Sequence, residues 1–314
     1  MTTSRSRPPV VSGSAKSHVK RGWRPHHPAT PYLLVAPALI VYAAFLLYPV
    51  GRAAHLSLYD WDGLTVGHFV GLRNYAEIFG DPSLRAGFVH ALILIVFYCA
   101  VPLVVGLLLA AVLNRAKVRG LGFFRTVVFL PQVVAMVVVA TAWRGIYSYN
   151  GDLNGALRAV GLGGLAQDWL GSYAFALPAI GLIGTWVEIG LMTVLLLSGM
   201  SKINRDLYES ARLDGAGAIR EFFAVTLPHV VGEVAVGLTL TIVAALKTFD
   251  LVYMTTSGGP GGSTVVPSYQ VYNHAFRLHE VGMASAIGVT LTAIIFLINF
   301  AVNRMADRAA ARTV

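Results

Sequence analysis

Charge is scarce in this 314-residue chain: 12% of its residues are Asp, Glu, Lys or Arg, against about a quarter in an ordinary soluble domain. A soluble globule is excluded. The single cysteine, Cys99, lies inside an apolar run, so neither an intrachain disulfide nor a cysteine-built metal site can form. The nine histidines make no His-Glu-x-x-His pair, and His26, His27, His274 and His279 read as surface residues. No Gly-x-Ser-x-Gly elbow is present, and Asp60, Trp61, Asp62 and Gly63 lack the spacing of a calcium loop. The string GGPGGST, residues 258–264, lacks the Lys that precedes Ser or Thr in a phosphate loop and reads as a turn-rich connection. These gaps disfavour an intramembrane enzyme, since no nucleophile and base can be paired, and no catalytic residue, metal or cofactor bound by this chain is expected.

What is abundant is apolar length. Hydrophobic residues make up 56% of the chain, and the mean hydropathy is +0.66. A helix needs about 20 mostly apolar residues to cross a bilayer, because its backbone polar groups must be satisfied internally. Six stretches qualify, at residues 32–50, 88–113, 123–143, 174–200, 230–253 and 282–302. Pro37, Pro102, Pro131 and Pro178 fall within or beside them, so kinked spans are expected.

The basic residues orient these spans, since Lys and Arg are retained on the cytoplasmic side. One side receives the basic residues of the N-terminal stretch, Arg115, Lys117, Arg119 and Arg125, then Lys202, Arg205, Arg212 and Arg220, and finally Arg304, Arg308 and Arg312. The other receives only Arg73, Arg85, Arg144, Arg158 and Arg277. Both termini are therefore placed in the cytoplasm. The same bias accounts for the net charge of +9, and a nucleic-acid partner is discarded. Residues 1–30, with no acidic residue, read as a disordered basic tail, and the first span as an uncleaved one rather than a signal peptide. Residues 31–305 form the transmembrane domain and 306–314 a short cytoplasmic tail. The fold expected is all-α and integral to the membrane, with six transmembrane helices.

The connection between spans four and five, SKINRDLYESARLDGAGAIREFFAVTLPHV, reads as two short helices. Asn204 is placed to cap the first, Asp206 and Glu209 suit its positive end, and Glu209 with Arg212 has the spacing of an i, i+3 pair. Leu207, Ala211 and Leu213 give it an apolar face, and Gly215 and Gly217 interrupt it. Ile219, Phe222 and Phe223 suggest a second amphipathic turn that Pro228 ends. A short, angled helix pair projecting from a membrane bundle is suited to docking.

This loop resembles the EAA loop of ABC importer permeases, whose pattern is Glu-Ala-Ala, three residues, Gly, nine residues, Ile, one residue, Leu-Pro. Glu209, Ser210 and Ala211 fill the triplet, Asp214 and Gly215 follow, and Val225, Leu227 and Pro228 fill the end. The usual Ile-Pro before the first helix is Ile203 and Asn204 here. The resemblance runs from about Pro31 to Val302 and is strongest to the carbohydrate branch, to permeases like the larger maltose membrane subunit and the glycerol-3-phosphate permease. FVGLRNY at 69–75, Phe124 and Arg125 with Leu130 and Pro131, and KTFDLVYMTTSGGPGGST at 247–264 carry it.

The resemblance implies a multi-pass permease subunit in the inner or plasma membrane, without its own ATPase site. Its implied partners are a second permease subunit in a heterodimer, a cytoplasmic ATPase dimer that uses ATP, and an extracytoplasmic solute-binding protein. Glu209 would contact the ATPase, Ala211 would allow close approach and Gly215 would supply the bend. Within the membrane, Glu188, Lys247 and Asp250 are costly if they face lipid. They form a translocation path with Trp186 and Tyr253, or else Lys247 and Asp250 are a structural i, i+3 pair and Glu188 a packing partner. An ion-coupled secondary carrier, or an ABC permease for a non-sugar solute, are the competing readings.

Overall fold

The computed structural model describes residues 30–115 and 120–310. The basic tail expected at the N-terminus lies outside the described residues, as do Lys117, Arg119 and Arg312. The chain divides into two compact units, Met1–Val50 and Gly51–Val314. In the first, α1 (Thr30–Tyr42) leads into a π turn at Ala43–Leu47, after which α2 (Tyr48–Leu56) begins. The stretch Tyr32–Leu56 is long and apolar enough to cross a membrane.

The second unit opens with a two-residue hairpin, β1 (Tyr59–Asp60) against β2 (His68–Phe69), pairing Tyr59 with Phe69 and Asp60 with His68. This is a small departure from the all-α expectation. Asp62 Oδ1 accepts the backbone N–H groups of Leu64 and Thr65 at 2.8 and 2.7 Å, which fixes the turn and holds its carboxyl below the usual range. Next come α3 (Arg73–Gly80), α4 (Pro82–Ile95) and α5 (Val101–Arg115), the last two joined by a π turn at Val96–Ala100. Asp81 caps α4, accepting from the backbone of Ser83 at 2.6 Å.

Helices α6 (Leu121–Val133) and α7 (Met136–Ile146) meet at 93°, so the expected third span is sharply broken just after Pro131. A loop carrying α8 (Asp152–Ala159) leads to α9 (Ala176–Met200), the most enclosed helix of the unit. Pro178 does not kink it, because it sits in the first turn, where its missing N–H has no intrahelical partner in any case.

The cytoplasmic loop of the sequence reading becomes α10 (Arg205–Leu213), α11 (Ala218–Glu221), a π turn at Phe222–Thr226, and α12 (Leu227–His229). Helix α13 (Val231–Leu246) follows at 69°, then α14 (Asp250–Thr255), α15 (Pro267–Tyr272) and α16 (Val281–Ala310). The expected fifth span, 230–253, is thus interrupted at residues 247–249. Among the described residues, four helices are long and apolar enough to cross a membrane, and up to six if each bent pair counts as one span.

Three of the π turns have one cause. Those at Ala43–Leu47, Val96–Ala100 and Phe222–Thr226 each end two residues before a proline, at Pro49, Pro102 and Pro228. A proline ring clashes with the carbonyl four residues back, and here that carbonyl is the middle one of each π turn. Widening the helix there moves it aside, and the helix bends less than a break would require.

Packing centres on α9, which lies against α5, α6 and α13. Its Ile180, Ile183 and Val187 are buried with Leu94 and Tyr98 of the α4–α5 helix, Ile242 and Leu246 of α13, and Leu251 and Val252 of α14. Toward its other end, Met192, Leu196 and Met200 pack with Ala110 and Val230. Close approach depends on small residues, as in membrane bundles generally. A Cβ at Gly184 would fall on the Tyr98 ring, and one at Gly190 on the Val128 carbonyl.

Candidate functional site

The loop after α9 is built by local chemistry. Asn204 Oδ1 accepts the Asp206 N–H at 3.1 Å and starts α10, with Asp206 in its first turn and Arg212 in its last. Ser210 Oγ donates back to the Asp206 carbonyl at 2.8 Å. The helix ends in a Schellman arrangement: Ala216 N–H reaches the Ala211 carbonyl at 2.9 Å and Gly215 N–H the Arg212 carbonyl at 3.0 Å. This requires a left-handed residue at 215, and Gly215 has φ +77°.

Two side-chain links then fold α10 against the following segment. Arg212 Nε and Nη2 donate to the two Glu221 carboxylate oxygens at 3.1 and 3.4 Å, and the Tyr208 hydroxyl lies 3.2 Å from Thr226 Oγ1. The Glu221 side chain is buried, and its hydrogen bonds, with its charge, raise the Arg212 pKa. The i, i+3 ion pair expected between Glu209 and Arg212 is therefore replaced by a pair across the bend. The guanidinium fork turns to the carboxylate that the bend brings to it, and Glu209 stays exposed. Leu213, Ile219 and Phe223 are exposed at 89, 76 and 60%. Val225 is buried, Leu227 and Pro228 are half-buried, and Asp214 is the C-cap of α10.

Within the bundle, Glu188, Lys247 and Asp250 line one cavity of about 330 Å³ together with Tyr98, Thr248 and Phe249. Lys247 and Asp250 do not form the i, i+3 pair, because the helix breaks between them. Lys247 is the C-cap of α13 and Asp250 the first residue of α14. A cation at a helix C-terminus and an acid at an N-terminus each complement the backbone dipole, so both charges can face a cavity without pairing. The break is held by Ser268 Oγ, which donates to the Thr248 carbonyl, and by the Tyr98 hydroxyl, 3.3 Å from Thr248 Oγ1. Glu188 is 3% exposed, and its Oε2 makes no hydrogen bond within the chain.

Trp186 and Tyr253 lie elsewhere. Two residues along a helix turn through about 200°, so Trp186 points away from Glu188 and meets Trp143 edge-on at 5.6 Å. Tyr253 stacks on Phe249 at 5.2 Å and meets Tyr272 at the same separation, behind the cavity wall.

Residues 102–313 match the family described as the inner membrane component of binding-protein-dependent transport systems. The chain belongs to this family. It is 38% identical over 282 residues to the probable ABC transporter permease protein YurN of Bacillus subtilis, covering 88% of this chain and 94% of that one. It is 34% identical over 262 residues to the trehalose/maltose transport system permease protein MalF of Thermococcus litoralis, covering 82% and 87%. Its fold matches a chain of a bacterial ABC transporter that imports the acidic polysaccharide alginate, with a TM-score of 0.75, 23% identity, and coverage of 89% and 95%. The resemblance read from the loop and its companion strings is thereby borne out, and the chain is a multi-pass permease of the inner membrane.

In this permease several cavity residues escaped the sequence reading. Tyr98 and Met136 come from helices far away in the chain, and nothing local marks them. Thr248 and Phe249 did carry a signal: they lie between two charges of opposite sign inside an apolar run, where a continuous helix would place costly groups in lipid.

Proposed function

We propose that this permease is one membrane subunit of an ATP-driven importer for a carbohydrate, moving solute by alternating access. The observation that carries the reading is the cavity at the α13–α14 break, where Glu188, Lys247 and Asp250 offer charged and hydrogen-bonding groups beside Tyr98 and Phe249. Amphipathic sugars suit such a lining, with hydroxyls on the polar groups and C–H faces on the rings. Relatives with printed names for trehalose/maltose, lactose and diacetylchitobiose transport support the same class.

On this reading the spans number six, both termini are cytoplasmic, and α10 docks in a groove of a separate ATPase. The exposed Leu213, Ile219 and Phe223 provide the apolar contact and Glu209 the polar one. The cross-braced bend at Gly215 makes the loop stiff enough to transmit closure, since a moving engine reorients a bundle only through a rigid element. ATP is used by that partner. The chain works beside a second permease, as a heterodimer, and receives solute from an extracytoplasmic binding protein, in keeping with the structural neighbour solved with a periplasmic protein that carries an alginate pentasaccharide. The test is affinity purification of the intact assembly, with identification of the solute held by its binding protein. A carbohydrate is expected. An amino acid or phosphate in its place refutes the substrate class, and uptake driven by an ion gradient without any ATPase refutes the mechanism.

A further inference from the structure

A second cavity, of about 390 Å³, lies apart from the one at the α13–α14 break and shares no residue with it. Arg144, Tyr147 and Ser148 at the end of α7 form one wall, Asp168 and Leu170 before α9 a second, and Thr255, Thr256 and Pro260 after α14 the third. The second wall leads into the first residue of α9, whereas the α10 loop follows its last. The 25 residues of α9 put roughly 37 Å between these ends at 1.5 Å per residue. The cavity is therefore at the mouth opposite the α10 loop.

Its walls are fixed in place. Asn154, fully buried, donates to the carbonyls of Ser148, Tyr149 and Gln167 at 3.2, 3.1 and 2.7 Å, and its Oδ1 accepts from Gln167 N–H and Trp169 Nε1 at 3.3 and 2.9 Å. One side chain thus clamps the Ser148 wall to the Asp168 wall. The third wall is tied by Thr264, buried, whose Oγ1 meets Thr256 Oγ1 and the Gly259 carbonyl, each at 2.7 Å, and by Arg144 Nη1 to the Met254 carbonyl at 3.4 Å.

The groups left facing the space form a mixed set. Ser148 and Thr255 hydroxyls spend their protons on the carbonyls of Gly145 and Leu251, at 2.8 and 2.6 Å, so toward the cavity they accept. Arg144 retains guanidinium donors and Asp168 retains acceptor capacity beyond its bond to Gly171 N–H at 3.1 Å. Adjacent hydroxyls of a sugar each donate and accept, and match such a set. One cation facing one carboxylate gives no net attraction for a phosphate or another anion. Leu170 and Pro260 offer surface to C–H faces.

We infer that this outer cavity is a second carbohydrate subsite, a station at the extracytoplasmic mouth that holds a neutral sugar before it reaches the α13–α14 cavity. The inference rests on the carbohydrate reading above. Its test uses the full chain with Ser148→Cys, assembled with its partner permease and ATPase in right-side-out vesicles without the binding protein, and labelled with a membrane-impermeant maleimide. The wild-type assembly, whose Cys99 is buried, is the labelling blank. Trehalose, maltose, lactose and diacetylchitobiose are the probes and alanine the control. At least one sugar is expected to slow labelling, by about tenfold at ten times its Kd, and Asp168→Asn in the same background is expected to lose that protection while labelling normally without sugar. Thr255→Cys replaces Ser148→Cys if the latter does not assemble.

Protection by none of the sugars overturns the subsite. If one of them is nevertheless taken up by the complete importer, the carbohydrate reading survives alone, and if none is taken up both fall. Protection by alanine, or a cysteine unreachable from outside, also overturns it.

Discussion

Replacing Gly215 separates two reasons for a glycine at the bend of the α10 loop. A Cβ built there meets nothing within 4 Å, so no contact inside the chain opposes a side chain. The opposition comes from the backbone, since φ is +77° and an L-residue in the left-handed region costs about 1–2 kcal/mol. If docking needs the observed bend, the cost falls on the fraction of loops that are competent to dock. At about 1.4 kcal/mol per factor of ten, Gly215→Ala should lower ATPase capture and uptake by roughly five- to thirtyfold. Gly215→Val should lose more, because β-branched residues are genuine outliers at positive φ, and Gly215→Asn least, because Asn tolerates it. The assay is ATPase co-purification with the assembled permease and initial uptake rate per inserted molecule, with insertion checked separately. Uptake unchanged by Gly215→Val at normal expression would refute the reasoning. An Asn variant as damaged as the Val variant would refute it differently, by showing that the ATPase lies too close for any side chain.

Arg212→Ala should weaken coupling several-fold without affecting insertion, since it removes the forked brace that holds α10 to Glu221 across the bend; Arg212→Lys should be intermediate because it keeps the charge and loses the fork, and uptake rates in the three proteins check the order. Gly184→Leu should lower thermal stability in detergent by about 1–3 kcal/mol through overpacking on Tyr98, and Tyr98→Ala should partly restore it. In the Asp62 turn, the folded carboxyl pKa is depressed, so its stabilisation is complete above the ordinary carboxylate range and is lost as pH falls through the lower folded value. Protection of the Leu64 and Thr65 amides from hydrogen exchange, relative to the intrinsic rate at each pH, should persist in wild type until the pH falls below the ordinary carboxylate range and be absent at every pH in Asp62→Ala.

The sequence read well where one local rule governed. The apolar runs 32–50, 88–113, 174–200 and 282–302 overlap helices long and apolar enough to cross a membrane, Asn204 caps α10, and Gly215 ends it, because each depends on neighbours within one turn or on composition alone. It read poorly where a choice between partners depended on a bend. Arg212 has Glu209 one turn behind it on the same helix, and spacing favours that pair. Once the Schellman turn reverses the chain, Glu221 arrives with both oxygens in reach of the guanidinium fork, and the bidentate partner wins. The sharp break after Pro131 is similar: proline marks the region, but neither the 93° angle nor the packing of α7 on α14 can be read from neighbours in the chain.

The lining of the cavity at the α13–α14 break is legible in the sequence only in part. Glu188, Lys247 and Asp250 stood out because charge in an apolar run is expensive, and that argument is independent of geometry. Choosing their companions needed geometry. Trp186 is two residues from Glu188 in the chain, yet helical rotation separates the two faces, and Trp186 meets Trp143. Tyr253 lies one turn beyond Asp250, yet the cavity is lined by Phe249, on which Tyr253 stacks. A continuous fifth span would have made Lys247 and Asp250 neutralise each other and left Glu188 isolated. By breaking the helix, the fold places Lys247 at the end of α13 and Asp250 at the start of α14, where each complements the backbone dipole, while Glu188 lines the same cavity from the middle of α9. On the path proposed above, Lys247 and Asp250 are stabilised by helix ends and not by one another, so they stay free to exchange hydrogen bonds with a solute, which a salt-bridged pair would surrender only at the cost of separating its charges.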